Sequence, residues 1–262
     1  MVVMRALLSL CAATFALAAA AAPASAEVRP GNVTETAGAS CTSNFLFTGG
    51  GKTYLGQAAH CSGTGAATDT NGCDSGVRPI GTPVTIQGAQ QPGRLAYNSW
   101  NTMQAVGEKD PNACDFNDFA LVELSPADAA AAKSSVPVFG GPVGLGAASP
   151  GQQAVSYQNS RLRGGIGVLS PKNALVLSRG GDGWNYTVYT LTPGIPGDSG
   201  SGYMTSTGRA FGVLSTVAVA PLAGSNGVTD LGKALEYARA HGFGVSLVNG
   251  TDPFRVKLLG LL

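Results

Sequence analysis

The sequence predicts an all-β protein built as two six-stranded antiparallel barrels and closed by a C-terminal helix. Three observations lead there. The chain has 38 glycines in 262 residues, and short apolar runs alternate with Gly, Pro, Asn and Asp turn signals along most of it. Only Asp230 to His241 shows a clear helical pattern in the second half, with Leu231, Leu235 and Ala238 at helical spacing and Gly242 placed to end it. A stretch rich in proline and glycine, residues 137–151, divides the β-like segments into two sets and reads as a linker.

The N-terminus reads as a secretory signal peptide. Arg5 supplies the positive region, Ala6 to Ala22 is apolar, and Ala24-Ser25-Ala26 is a small-x-small cleavage site. The apolar stretch is shorter than the roughly 20 residues of a spanning helix. Cleavage after Ala26, export and an extracellular location are expected, with no membrane attachment afterwards.

Residues 27–136 are expected to form the first barrel. Within it, 44–61 reads as a hairpin turning at Gly49-Gly50-Gly51. Residues 62–78, rich in Gly, Thr, Asp and Asn, read as loop. Further strands are expected at 84–86, 94–97 and 119–124. Ser125-Pro126 begins a brief helix, with Ser125 as cap and proline at the first position. After the linker, residues 152–262 form the second barrel, with strands expected at 152–158, 166–169, 174–178, 184–191 and 210–219, and then the helix.

Charge excludes some function classes. The net charge is +1 and charged residues make up 12% of the chain, so there is no basic face for nucleic acid and no polybasic membrane patch. Setting Cys11 aside with the signal segment leaves Cys41, Cys61, Cys73 and Cys114. Four cysteines in an exported chain imply two disulfides with three pairings open. No C-x-x-C occurs and there are two histidines, which disfavours zinc. Oxygen-bearing residues alternate in Asp69-Thr70-Asn71-Gly72-Cys73-Asp74, but the run is too short for a calcium loop and reads as a turn. No metal or cofactor is expected.

Gly197-Asp198-Ser199-Gly200 places a serine where flanking glycines permit a tight turn and close approach of a carbonyl. The amides of Gly197 and Ser199 are then suited to form an oxyanion hole. A serine hydroxyl becomes nucleophilic when an imidazole takes its proton. Ala58-Ala59-His60-Cys61 supplies the imidazole, and Asp118-Phe119-Ala120-Leu121 a carboxylate to orient it.

With these motifs in the order His, Asp, Ser, the chain resembles the chymotrypsin-like (trypsin-fold) serine proteases of exported bacterial type. The resemblance implies two barrels of the chymotrypsin type, with His60 as general base, Asp118 as its orienting carboxylate and Ser199 as nucleophile. His241, at the predicted helix end, reads as structural, Asp115 as a turn residue, and Ser201 lacks the preceding Gly-Asp pair. The resemblance further implies that Cys41 pairs with Cys61, and Cys73 with Cys114. Many family members carry a disulfide beside the serine loop, which this chain lacks. Bacterial relatives neutralise the aspartate before the serine with an internal arginine, and Arg161 and Arg163 are the candidates here for Asp198.

Leu214-Ser215-Thr216-Val217 resembles the segment that walls the primary pocket and pairs with the substrate backbone, and Pro193 lies in the stretch before the serine loop. That stretch, residues 191–196, has no acid to select a basic residue at the cleavage site. Val217 stands where open-pocket relatives have glycine. A monomeric endopeptidase cleaving polypeptides after small or medium apolar residues is expected. A trypsin-fold binding protein without turnover is the alternative.

Overall fold

The computed structural model describes residues 27–66, 69–218, 222 and 224–256; the expected signal peptide lies outside them. The N-terminal half comprises β1 (Val33–Thr36), β2 (Ala39–Thr42), β3 (Leu46–Gly49), β4 (Lys52–Gln57), β5 (Pro83–Ile86), β6 (Gly93–Asn98) and β7 (Ala120–Glu123), with helices α1 (Ser99–Val106), α2 (Pro111–Phe116) and α3 (Pro126–Ala131). The C-terminal half comprises β8 (Gly144–Leu145), β9 (Gln153–Tyr157), β10 (Pro171–Gly180), β11 (Asn185–Thr190), β12 (Gly202–Thr205), β13 (Arg209–Ala218), β14 (Ser225–Asp230), helix α4 (Leu231–Ala240) and β15 (Ser246–Leu247).

The second half closes as expected. Strands run β12-β9-β10-β11-β14-β13, and β13 pairs back onto β12, giving a six-stranded antiparallel barrel. Two-residue periodicity fills it: in β11, Tyr186, Val188 and Thr190 point inward and the residues between are half-exposed. The first half forms an antiparallel sheet in the order β15-β3-β4-β7-β6-β5-β1-β2, eight strands rather than six. Its extra members are the short β2 at one edge and β15 at the other, the latter arriving from the C-terminal end of the chain. Thus Ser246 pairs with Thr48 and ties the two halves together.

Four apolar clusters form among the described residues, one of them around Trp100, Met103 and Trp184. Leu55, Leu95 and Val122 fill the first half, and Val176, Val188 and Phe211 the second. A third cluster joins them, with Phe45, Phe47 and Phe119 packing against Val155, Val213 and Leu235. Residues 137–151 contribute Phe139 and Ala148 to buried clusters, and β8 pairs with β13, so this expected linker is packed and not a bare connector.

Two helices appear where sequence patterning indicated none. Asn98 caps α1 by accepting from the Trp100 amide, and Gly107 ends it in the left-handed conformation. Asp110 and Pro111 start α2 in the same way α3 is started by Ser125 and Pro126. Residues 166–169, expected as a strand, include a single 3-10 turn at Gly167–Leu169. Among the described residues no helix is long and apolar enough to cross a membrane.

Candidate active site

His60 lies in a 3-10 turn, Ala59–Ser62, directly after β4. The turn is held from two sides. Cys61 is disulfide-bonded to Cys41, and the Asn98 side-chain amide donates to the Ala59 carbonyl at 3.0 Å. The second expected bridge, Cys73–Cys114, also forms. Closing loops of 20 and 41 residues restricts the unfolded chain by about 3–4 kcal/mol each. The ligand atoms of Cys41, His60 and Cys61 come within 4.8 Å of one another, but both sulfurs are in a disulfide and offer no thiolate.

Asp118 sits between α2 and β7. Ser99 holds that segment: its hydroxyl donates to the Asn117 carbonyl at 2.6 Å and accepts from the Phe119 amide at 3.2 Å. The Asp118 carboxylate then takes three hydrogen bonds. Its Oδ1 accepts from the His60 backbone amide at 2.9 Å, and its Oδ2 lies 2.6 Å from His60 Nδ1. A carboxylate only accepts, so Nδ1 carries the proton and Nε2 is left with its lone pair. The third donor is Ser215 Oγ, 2.5 Å from Oδ2.

Electrostatics follow from that geometry. Side-chain exposure is 24% for His60 and 4% for Asp118. Burial disfavours the charged imidazole, but the charge and hydrogen bond of Asp118 outweigh it and hold the His60 pKa above 6.5. Burial likewise opposes ionisation of Asp118, yet His60 and then Ser215 keep its carboxyl below the ordinary value.

Ser199 comes from the other half, in the loop before β12. Its carbonyl accepts from the Thr42 amide at 2.8 Å, while Thr42 Oγ1 donates to the Gly197 carbonyl and the Asn44 side chain to the Gly200 carbonyl. These bonds fasten the serine loop to the N-terminal half. Gly200 is required by space and by backbone: φ is +90°, and a Cβ there would stand 2.5 Å from the Thr42 carbonyl oxygen and 3.0 Å from the Ala58 amide nitrogen. Gly197 also has positive φ, +94°. Among the described residues, neither the Gly197 nor the Ser199 amide donates to a protein acceptor, and no hydrogen bond joins Ser199 Oγ to His60.

Asp198 is fully buried beneath this loop. It accepts from the amides of Ser160 at 3.0 Å and Ile195 at 2.9 Å, and Arg163 pairs with both carboxylate oxygens. Arg161, the other candidate, instead meets Glu35 at the surface. Ser201 is buried, with its hydroxyl donating to the Asp198 carbonyl at 2.6 Å. Lys172 lies buried nearby, donating to Thr192, and its pKa is lowered to about 8 by burial and then by the positive charge of Arg163.

The remaining expected residues fall as follows. Asp115 is in the last turn of helix α2 and not in a loop turn, and it accepts from the Asn71 side chain. The Asn71 side chain in turn accepts from the Cys73 amide, so the 69–74 run is a side-chain-closed turn. His241 caps α4 and packs on the Tyr237 ring at 4.1 Å. Pro193 is half-buried and faces Gly224; Thr216 is half-buried with its hydroxyl against Gly227, and Val217 is 51% exposed. Ser215, expected only as substrate wall, has its hydroxyl on Asp118. A register shift between Leu214 and Thr216 leaves Ser215 out of the β13–β14 pairing. No sequence pattern announces that bulge.

A scan against protein-family models found no match, and neither did a search of curated proteins. Solved structures do match. Thermobifida fusca protease A aligns with a TM-score of 0.52 at 18% identity, covering 86% of this chain and 100% of that one. Nocardiopsis protease gives 0.51 at 17% identity, covering 85% and 99%. Cellulomonas bogoriensis chymotrypsin gives 0.53 at 17% identity, covering 85% and 98%. At these identities the likeness is one of architecture: the chain adopts the chymotrypsin-like, trypsin-type fold of bacterial serine proteases.

Proposed function

We propose that the chain is a secreted serine endopeptidase that cleaves polypeptides through an acyl-enzyme intermediate. The observation that carries this reading is the double hold of Asp118 on His60, through the ring at 2.6 Å and the backbone amide at 2.9 Å. That arrangement fixes the tautomer with a basic Nε2 and stabilises the imidazolium. His60 then takes the Ser199 proton as Ser199 Oγ attacks the substrate carbonyl. The unpaired amides of Gly197 and Ser199 receive the oxyanion, each worth on the order of 3 kcal/mol when well aimed. His60 returns its proton to the leaving amine, and water releases the acyl group by the same route. This chemistry requires no metal or cofactor.

Thr216, Val217 and the Ser215 backbone serve as the substrate strand, with Pro193 at the primary pocket. Val217 and the absence of an acid in residues 191–196 favour small or medium apolar residues at the cleavage site. Two disulfides suit an exported protein, and the protein is proposed to act as a monomer.

The test is digestion of a mixed peptide library by the mature protein and by Ser199→Ala. Cleavage by the wild type alone is expected. A folded wild type that cleaves nothing across about pH 6–9 would instead mark a trypsin-fold binding protein.

A further inference from the structure

A polar pocket of about 260 Å³ opens beside the catalytic pair, where Ser215 reaches Asp118. Both halves of the molecule line it: Thr70, Asp115 and Phe116 from the first, Asn185, Ser215 and Thr216 from the second. It is smaller than a pocket for a drug-sized ligand and in scale with one long side chain.

Asp115 gives the pocket its charge. The side chain is exposed at the pocket lining, and its Oδ1 accepts from Asn71 Nδ2 at 3.0 Å. Among the described residues its Oδ2 has no hydrogen-bond partner, and no Lys, Arg or His forms a salt bridge with it. Arg179, in β10, is tied to Asp230.

The acid is rigidly placed. Cys114, its chain neighbour, is disulfide-bonded to Cys73, and the Gly72 amide donates to the Cys114 carbonyl at 2.8 Å. Asn71, which holds Asp115, is itself fixed by accepting from the Cys73 amide. A carboxylate held in this way loses little freedom when it meets a cation. Phe116 beside it offers an apolar ring for an aliphatic stem or a guanidinium face.

We infer that this pocket is a subsite of the peptide cleft that takes a lysine or arginine side chain of the substrate, on the N-terminal side of the cleaved bond, with Asp115 as its charge partner. The inference rests on the endopeptidase reading. A substrate whose reacting carbonyl lies at the Gly197 and Ser199 amides runs back along Ser215–Val217 and carries that side chain over the pocket. The preference is separate from the cleavage position itself, where residues 191–196 supply no acid.

A position-resolved peptide library digested by wild type, Asp115→Asn and Asp115→Lys tests it. Wild type should favour Lys or Arg over Glu by about fivefold in kcat/KM at one position N-terminal to the cleaved bond. Asp115→Asn should flatten that preference and Asp115→Lys should invert it. Wild-type labelling by a small neutral phosphonate reports the serine chemistry separately. Labelling without any charge preference, or a preference that survives in Asp115→Asn, overturns the subsite alone. Absence of both labelling and cleavage overturns the endopeptidase reading and the subsite with it.

Discussion

Arg163 and Asp198 form an ion pair sealed beneath the serine loop, with side chains 8% and 0% exposed. The pair neutralises the one carboxylate that the loop Gly197-Asp198-Ser199 must bury. Removing one partner of a buried pair leaves an uncompensated charge, a cost of about 3–5 kcal/mol. Arg163→Ala should therefore unfold at a markedly lower temperature and lose peptide hydrolysis. Arg161→Ala, whose side chain is 61% exposed in its pair with Glu35, should change stability by less than about 1 kcal/mol. Thermal unfolding of both variants separates the two arginines.

On the proposed mechanism the His60–Asp118 pair sets the pH dependence of peptide hydrolysis. The neutral ring is the working form, and Asp118 holds the His60 pKa above 6.5. The value of kcat/KM should thus fall as pH drops through a point above 6.5, and recover on the alkaline side. Asp118→Asn removes the charge that favours the imidazolium. The acid limb should move to lower pH while the maximal rate falls by about 10⁴.

On the same mechanism Ser215 acts through Asp118. Its hydroxyl is one of the donors that keep the carboxyl ionised, so its loss should weaken the support of His60. A charge-assisted hydrogen bond contributes about 1.5–3 kcal/mol, and part of that is expressed in the transition state. Ser215→Ala should lower kcat by roughly tenfold with little change in KM. A rise in KM with kcat intact would show that Ser215 serves substrate binding instead.

Lys172 is buried beside a pair that is already neutral. With its pKa lowered to about 8 from 10.5, the unfolded chain binds more protons than the folded one between those values. Stability therefore rises with pH through that window and is lowest, for this group, below pH 8. Relative to Lys172→Met, which keeps the volume and drops the charge, the wild type should gain about 2 kcal/mol between pH 7 and 10. Parallel stability curves from denaturant unfolding would contradict this.

The three motifs of the candidate site stand out in the sequence because the chemistry proposed for them confines them to particular residue types in short runs: a histidine beside a cysteine, an aspartate before an apolar strand, a serine among glycines. Contacts made at long range were not. β14 is buried along its whole length although it reads Ser225-Asn226-Gly227-Val228-Thr229-Asp230. Two of its polar side chains are satisfied across the barrel, Asn226 by Val188 and Thr190, and Asp230 by Arg179 and Tyr186, while Thr229 donates to the Phe116 carbonyl of the other half. Hydropathy therefore carries no sign of that strand. The placement of Ser215 depends on a bulge, and that of Asp115 on a six-residue helix held by capping and a disulfide. Neither leaves a periodic trace in the sequence.

The central claim is that Ser199 is the nucleophile activated by His60. The direct measurement is reaction of the mature protein with a serine-reactive phosphonate, followed by intact mass and peptide mapping. The account predicts a single adduct on Ser199, none on Ser201, and loss of labelling in both Ser199→Ala and His60→Ala. An adduct on another residue, or a folded wild type that takes no label, would contradict it.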